Sequence, residues 1–387
     1  MQQVYLDNNA TTPMDPLVLE AMKPHYFEDF GNASSIHTYG QKASSAVENA
    51  RRQVAELIGA RPNEIVFNSG GTEADNTALR GVATHHRARG NHIITAVTEH
   101  SAVLQTCEQL EKEGFRVTYL RVDREGMISL DRLEEAIEEE TTLISIMHAN
   151  SEIGVIQPIQ EMATLAREKK VLFHTDAVQT VAKIPVNVKE LGVDLLSLSA
   201  HKFHGPKGVG ALYIRSGVKM DPLLYGGSHE RSRRAGTVNV PGIVGLGRTA
   251  ELAREGLKDL GTRVKELRDR LEKGILEQIP GTAVNGSKTH RIPHLTNISF
   301  RAIEGEALLI SLDFQGVAVS TGSACSSGTV EPSHVLTALG GHSKLHKSAI
   351  RFSLSRMNSG EEIEHVLSIL PEIVKRMREV SPLYRAG

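Results

Sequence analysis

The stretch SAHKFHGPKG, Ser199–Gly208, sets one lysine, Lys202, between two histidines and crowds it with small residues and a proline. The apolar run DLLSLS leads into it. Surface lysines ordinarily sit among other charges and flexible polar residues. A lysine at the mouth of an apolar strand is instead a candidate for a depressed pKa and for Schiff-base chemistry. His201 and His204 admit a rival reading as metal ligands. HxxH spacing is poor for two ligands on one helix face, and neither CxxC nor HExxH accompanies it, so the metal reading is the weaker one.

Three further stretches carry chemistry-bearing residues. NSGGTE, residues 68–73, lies between an expected strand and an expected helix. Its glycines let the backbone approach a ligand, and a helix N-terminus offers free N–H groups to an anion such as phosphate. It matches neither a Walker A loop nor GxGxxG, and alone it is a weak signal. TEHSAV places His100 just after a strand, and HTDAVQ places Asp176 at the end of another. A carboxylate there needs a partner or its burial is costly; a protonated ring nitrogen is one such partner. Phosphate cradle, acid and lysine together meet the needs of pyridoxal phosphate. The two cysteines contrast in every local respect. Cys107, in LQTCEQL, is the buried-helix kind. Cys325, in VSTGSACSSGTVEPSHVL, stands among small polar residues on an expected exposed, mobile loop and is a nucleophile candidate.

The elements that must position these residues alternate. EIVFNS, HIITAV, RVTYLRV, TLISIMHAN, VLFHTDAV, DLLSLSA and GALYIRS read as strands, several of them apolar nearly throughout, as for strands covered on both faces. Helical patterns such as TEADNTALRGVATHHRAR and SAVLQTCEQLEKEG separate them. This predicts an α/β fold with a mostly parallel central sheet in a large domain, residues 14–256. In such sheets ligands sit at the carboxyl ends of the strands, where the unusual residues gather. From about residue 250 the pattern changes to one long amphipathic connecting helix and then a smaller α+β domain, formed by residues 257–387 with residues 1–13.

The 387-residue chain suits two domains. A net charge of −2 with interspersed signs argues against a general nucleic-acid surface. No apolar run reaches the ~18 residues needed to span a bilayer, and no signal peptide is evident, so a cytoplasmic, non-membrane protein is expected. Two dissimilar cysteines fit a reducing compartment.

In order along the chain, YLDNNATTP, GNASSIH, SGGTEADN, TEHSAV, HTDAVQ, SAHKFHGPKGVGALY, RRAGT, STGSACSSG and IRFSLSR resemble the cysteine desulfurases of the NifS/IscS group. That group lies within the class V branch of the fold-type I pyridoxal-phosphate enzymes. The resemblance implies a cysteine desulfurase. L-cysteine becomes L-alanine, and the sulfur passes to an enzyme persulfide and on to acceptors for iron–sulfur cluster assembly or tRNA thiolation. Lys202 would carry the cofactor and Cys325 the persulfide. His100 would stack on the cofactor ring and take part in proton transfer. Asp176 would face the ring nitrogen, and Gln179 the phenolic oxygen. Gly71, Thr72, Ser199 and His201 would hold the phosphate. Arg351 would grip the substrate carboxylate. Thr237 would reach the phosphate in the partner subunit, which implies a homodimer. No metal is implied in the isolated chain, although Cys325 could ligate an iron–sulfur cluster shared with a scaffold protein. Ala33, Ser228 and Ser232 replace a proline and two glycines common in the group, and Ser151 replaces an asparagine beside the cofactor. A selenocysteine lyase, a related aminotransferase and a non-catalytic sulfur carrier or scaffold partner are the competing readings.

Overall fold

A computed structural model describes residues 2–321, 333–340 and 347–381. Its strands, in chain order, begin with β1 (Val4–Tyr5). The central sheet contains β2 (Ile65–Asn68), β3 (His92–Ala96), β4 (Arg116–Leu120), β5 (Thr141–Ser145), β6 (Leu172–Asp176), β7 (Leu195–Ser199) and β8 (Gly210–Ile214). Its spatial order is β2-β8-β7-β6-β5-β3-β4. Strands β4, β3, β5, β6 and β7 run parallel. Strand β8 is antiparallel to both β7 and β2. The connection from β7 to β8, residues 200–209, is too short for the helical crossover that a parallel neighbour requires. The chain therefore turns back, and the second reversal leaves β2 pointing the same way as β7.

Side chains alternate across this sheet. Ile94, Phe173 and Leu196 face one apolar cluster, with Val54 and Leu246 from helices Thr38–Leu57 and Val240–Asp259. Ile93, Leu143 and Leu195 face another, with Leu79 and Cys107 from helices Gly71–His86 and Ser101–Lys112. Both faces are covered, which is why these strands read as apolar runs. The helix pair over the first face packs closely. A Cβ on Gly247 would lie 2.6 Å from the Cα of Ala50. Helix Thr38–Leu57 and strand β1 lie in stretches where the sequence reading saw motifs but no element.

Beyond the sheet, the expected connecting helix is longer than its pattern suggested. It starts at Val240, passes through a π turn at Leu260–Val264 and continues over Lys265–Gln278. Then follow β9 (Thr282–Val284), β10 (Leu295–Phe300), β11 (Val317–Ala318) and β12 (Ala349–Ser353). Strands β12, β10 and β9 form an antiparallel sheet, and β11 pairs in parallel with β1. Leu271, Ile298, Phe300, Phe352, Ile363 and Val374 build a separate core there, closed by helix Gly360–Val380.

One turn stores strain. Glu230, Arg231 and Ser232 have φ of 47°, 57° and 63°, a region that costs a residue bearing a Cβ about 1–2 kcal/mol. Glu230 holds the turn. Its carboxylate accepts from both Nη atoms of Arg51 at 2.7 and 2.8 Å and from the Phe67 N–H at 2.9 Å. Ser228, by contrast, has an ordinary φ of −76°. Of the two serines that replace glycines, only Ser232 sits where glycine is favoured. Ser232→Gly should therefore stabilise the fold by about 0.5–1 kcal/mol, after glycine's larger unfolded-state entropy is deducted. Ser228→Gly should not. Urea midpoints at unchanged m-value will show the difference.

Candidate active site

Lys202 ends a 3₁₀ turn, Ala200–Lys202, that follows β7 directly. The turn is fixed from several sides. Ala200 N–H donates to Val209 O, and the N–H groups of Phe203 and Gly205 both donate to Ala200 O. Gly205 has no room for a side chain: a Cβ would lie 2.8 Å from both Ala200 Cβ and Thr249 Cγ2. A strap from the N-terminal segment covers the lysine. Thr12 donates N–H and hydroxyl to His201 O, and its hydroxyl oxygen accepts from the His204 N–H at 2.7 Å. His201 Nδ1 meets the Thr11 hydroxyl at 3.1 Å, and His204 Nδ1 donates to Pro13 O at 2.9 Å. Both rings are pushed down to about 4, chiefly by burial, and stay neutral. They serve the strap. Lys202 itself is half-buried, and its Nζ donates to the carbonyls of Asn9 and Ala10 at 2.7 and 2.8 Å.

The carboxyl ends of the sheet bring the other expected residues to this lysine. A cavity of about 210 Å³ is lined by Gly71, Thr72, His100, Ser151, Asp176, Gln179, Ser199, His201 and Lys202. The strand directions explain the convergence. Asp176 ends β6 and Ser199 ends β7, while Gly71 and His100 begin the helices that follow β2 and β3. Asp176 is buried, and one of its oxygens accepts from Val178 N–H at 2.9 Å. Burial pushes its pKa up, against the opposing pull of His100 and Lys202. His100 caps its helix: Nδ1 accepts from Ala102 N–H at 3.1 Å, so the proton of the neutral ring sits on Nε2. Burial lowers its pKa, with Lys202 adding to the effect and Asp176 opposing it. At the start of helix Gly71–His86 no side chain caps the first N–H groups, and Gly70 has φ of 144°. Glu73, in that first turn, is pushed up by burial. The Arg234 guanidinium, 2.8 Å away, and the Ser69 amide outweigh burial and bring the net shift downward.

Two expected residues, Thr237 and Arg351, do not line this cavity. Thr237 is exposed and lines a separate depression with Ser69, Gly208 and Arg234. Arg351, on β12, is buried. Its two Nη groups donate to Asp7 Oδ1 at 2.7 Å and to Ser151 O at 3.0 Å, and its Nε has no partner among the described residues. Cys325 lies outside the described residues. The sequence reading missed Asp75, Met147 and Val178, which also line the cavity. Asp75 had a signal: it follows Gly71 by about one helical turn and so faces the same way.

The sequence pattern of the Aminotransferase class-V family matches residues 4–366. The chain belongs to the class-V aminotransferase family. It is 53% identical over 380 residues to a cysteine desulfurase IscS of Methanosarcina thermophila, covering 98% of this chain and 94% of that protein. A cysteine desulfurase IscS of Dictyoglomus turgidum is 52% identical over 381 residues, covering 98% and 97%. Among solved structures, a NifS-like protein superposes with a TM-score of 0.91 at 41% identity, covering 97% of this chain and 100% of that one.

The cavity fits pyridoxal phosphate, the cofactor of this class-V family. The uncapped helix start, and a Gly71 whose Cβ would lie 2.8 Å from Val178 Cγ2, leave bare backbone for a phosphate. The buried Asp176, its pKa raised, gains most from a cationic partner such as a protonated ring nitrogen. Lys202 offers the amine. Cys107 lies far from such chemistry in character. It is fully buried, and burial pushes its thiol up to about 12. Iodoacetamide at pH 8 should leave Cys107 unlabelled in the native protein and label it fully in guanidinium, as peptide mass spectrometry will show.

Proposed function

We infer that the protein is a pyridoxal-phosphate-dependent cysteine desulfurase. L-cysteine and the Cys325 thiol give L-alanine and a Cys325 persulfide, which an acceptor then consumes. The observation that carries this reading is the convergence of Lys202, Asp176, His100 and the Gly70–Thr72 helix start on one cavity. Full-length similarity to proteins named cysteine desulfurase supports it.

When bound, pyridoxal phosphate supplies an aldehyde for amine exchange and a ring that draws electrons from the substrate's α-carbon. The chain's own residues do the rest. Gly71, Thr72, Ser199 and His201 hold the phosphate. Asp176, ionised, would hold the cationic ring nitrogen, which would offset the cost of its burial, and the neutral His100 imidazole would help to hold the ring. The Lys202 amine would move the α-proton of the substrate. Gln179 would hold the phenolic oxygen, with Ser151 standing where the family carries an asparagine. Arg351 faces the substrate carboxylate with a planar fork, and its unpartnered Nε marks unused donor capacity. The Cys325 thiolate attacks the sulfur of cysteine. The C–S bond breaks, an S–S bond forms, and the carbon takes a proton to give alanine.

Residues 14–256 form the cofactor domain in this reading, and residues 1–13 with 257–387 the second domain. The separate cores and the β1–β11 pairing support that division. Among the described residues no helix is long and apolar enough to cross a membrane. With a cysteine content suited to reducing conditions, that supports a cytoplasmic site of action. The acceptor is an iron–sulfur scaffold protein or a tRNA-thiolation protein.

The homodimer rests on two features. Thr237 lies away from the chain's own lysine, and the segment 17–39 exposes Phe27 (80%) and Ile36 (92%) beside Leu17, Tyr26, Phe30 and Tyr39. Such a patch marks an interaction surface. In this reading Thr237 serves the phosphate of the partner subunit.

Lys202→Ala should lose the visible cofactor band. Cys325→Ser should keep it but release sulfide at least ~100-fold more slowly, because binding and proton abstraction need no thiol while sulfur transfer does. After incubation with cysteine, mass spectrometry should place the extra sulfur on Cys325. Finding it on Cys107 overturns the assignment. Faster turnover of selenocysteine, or of alanine with a keto acid, would favour the competing enzymes. Mixing inactive Lys202→Ala chains with inactive Thr237→Asp chains should restore activity in heterodimers. Proven subunit exchange without recovery counts against the shared site.

A further inference from the structure

Lys183 is a buried lysine for which the reaction above has no use. Its Nζ donates to Gln179 Oε1 at 2.7 Å and reaches Asn9 Oδ1 at 3.3 Å. Gln179 Nε2 donates in turn to Asn9 O at 3.1 Å, the carbonyl that also receives Lys202 Nζ. His294 Nε2 completes the cluster, donating to Asn9 Oδ1 at 2.8 Å. The chemistry of these partners settles which way the Gln179 amide points. Towards the carbonyl of Gln179 the lysine acts as a donor, and a backbone carbonyl can only accept. Only one orientation satisfies both: Oε1 towards Lys183, Nε2 towards Asn9. Gln179 also lines the cofactor cavity, and its amide nitrogen keeps a second N–H to donate.

We propose that Lys183 is a positioning residue: through Gln179 it makes the group presented to the cofactor's phenolic oxygen an N–H donor and not a carbonyl. The proposal rests on the cofactor-site reading above. Without Lys183 the amide loses one of the two partners that set its orientation, and Asn9 O alone then opposes a flip that would set an acceptor against the phenolate. Neutral or charged, the lysine can donate. Burial holds its pKa well below the ordinary lysine value, with Lys202 and Arg351 adding to the effect. The other titratable groups around it are His201, His204 and His294, all lowered chiefly by burial.

The test uses the holoenzyme without substrate and reads the pH midpoint of its visible absorption band. Losing one donor to the phenolate should raise that midpoint in Lys183→Met by about 0.5–1.5 units. Removing a nearby positive charge would also raise it, so a double-mutant cycle separates the two causes. In a Gln179→Met background, Lys183→Met should shift the midpoint by less than ~0.3 units. An equal shift in both backgrounds would show that Lys183 acts as a charge, and no shift in the native background would show that it does not orient the amide. Either result overturns the proposal. Absence of the visible band from the native protein would instead overturn the cofactor reading on which it rests. Methionine matches the lysine stem and removes a buried amine. Should Lys183→Met nevertheless not fold, a crystal structure of the native holoenzyme decides the matter: Lys183 Nζ should lie within 3.2 Å of Gln179, and a separation beyond hydrogen-bond reach overturns the assignment.

Discussion

Two backbone carbonyls, those of Asn9 and Ala10, fix the lysine on which the site depends. They belong to a strap that cannot stand alone. Residues 4 and 5 pair with β11, Asn8 and Asn9 bond to Ser353 of β12, and Asp7 pairs with Arg351. From there the strap crosses to the lysine turn and is locked by Thr12, His201 and His204. Each such buried hydrogen bond is worth only about 1 kcal/mol net, but leaving one unmade costs ~1–3 kcal/mol. The strap therefore holds as a set. It carries the position of the small sheet to the mouth of the large one, and loosening either end would move the carbonyls that receive Lys202.

The same constraint explains why so many polar groups can be buried here. Asn9 alone uses its N–H, its carbonyl and both side-chain polar atoms. Deeper in the sheet, His174 lies between Ser145 and Ser197 at 2.8 and 2.9 Å, and burial pushes it down to about 3. Beside it Asp75 is raised by burial and by the charge of Asp176. A neutral imidazole and raised carboxyls under the cavity leave it short of positive charge. In the proposed reading, a cationic ring nitrogen beside Asp176 would offset the cost of burying its charge.

How much of this was legible in the sequence depends on whether a residue breaks its local pattern. Lys202, Asp176 and His100 could be found because each interrupts an apolar strand at its carboxyl end. Cys107 and Cys325 could be told apart by their neighbours, and Cys107 is buried as its helix pattern implied. The reversal of β8 was not legible: GALYI is as apolar as its parallel neighbours, and only the short 200–209 connection excludes a crossover. Lys183 was hidden because AVAK-like segments, here TVAKIP, read as an ordinary solvent-facing lysine on a turn. The strain at Ser232 was half legible. The replacement of a glycine shows in the sequence; the positive φ that gives it meaning, and distinguishes it from Ser228, does not. Arg351 was recognised by resemblance, but its pairing with Asp7 was not.

That pairing changes what substrate recognition must mean. An arginine with a buried guanidinium and no partner would be very costly, so the fold supplies Asp7 and the Ser151 carbonyl as standing partners. In the proposed reading, a substrate carboxylate meeting Arg351 would gain only the difference between its own interaction and the one already present. Selectivity then follows from geometry more than from charge. In that reading, a carboxylate that must evict Asp7 would exchange one ion pair for another and gain little. Because Ser151 O also accepts from Asn9 Nδ2, any shift of Arg351 is felt at the strap and so at the carbonyls that hold Lys202. Arg351 and Lys202 are thus physically one network, joined through Asn9.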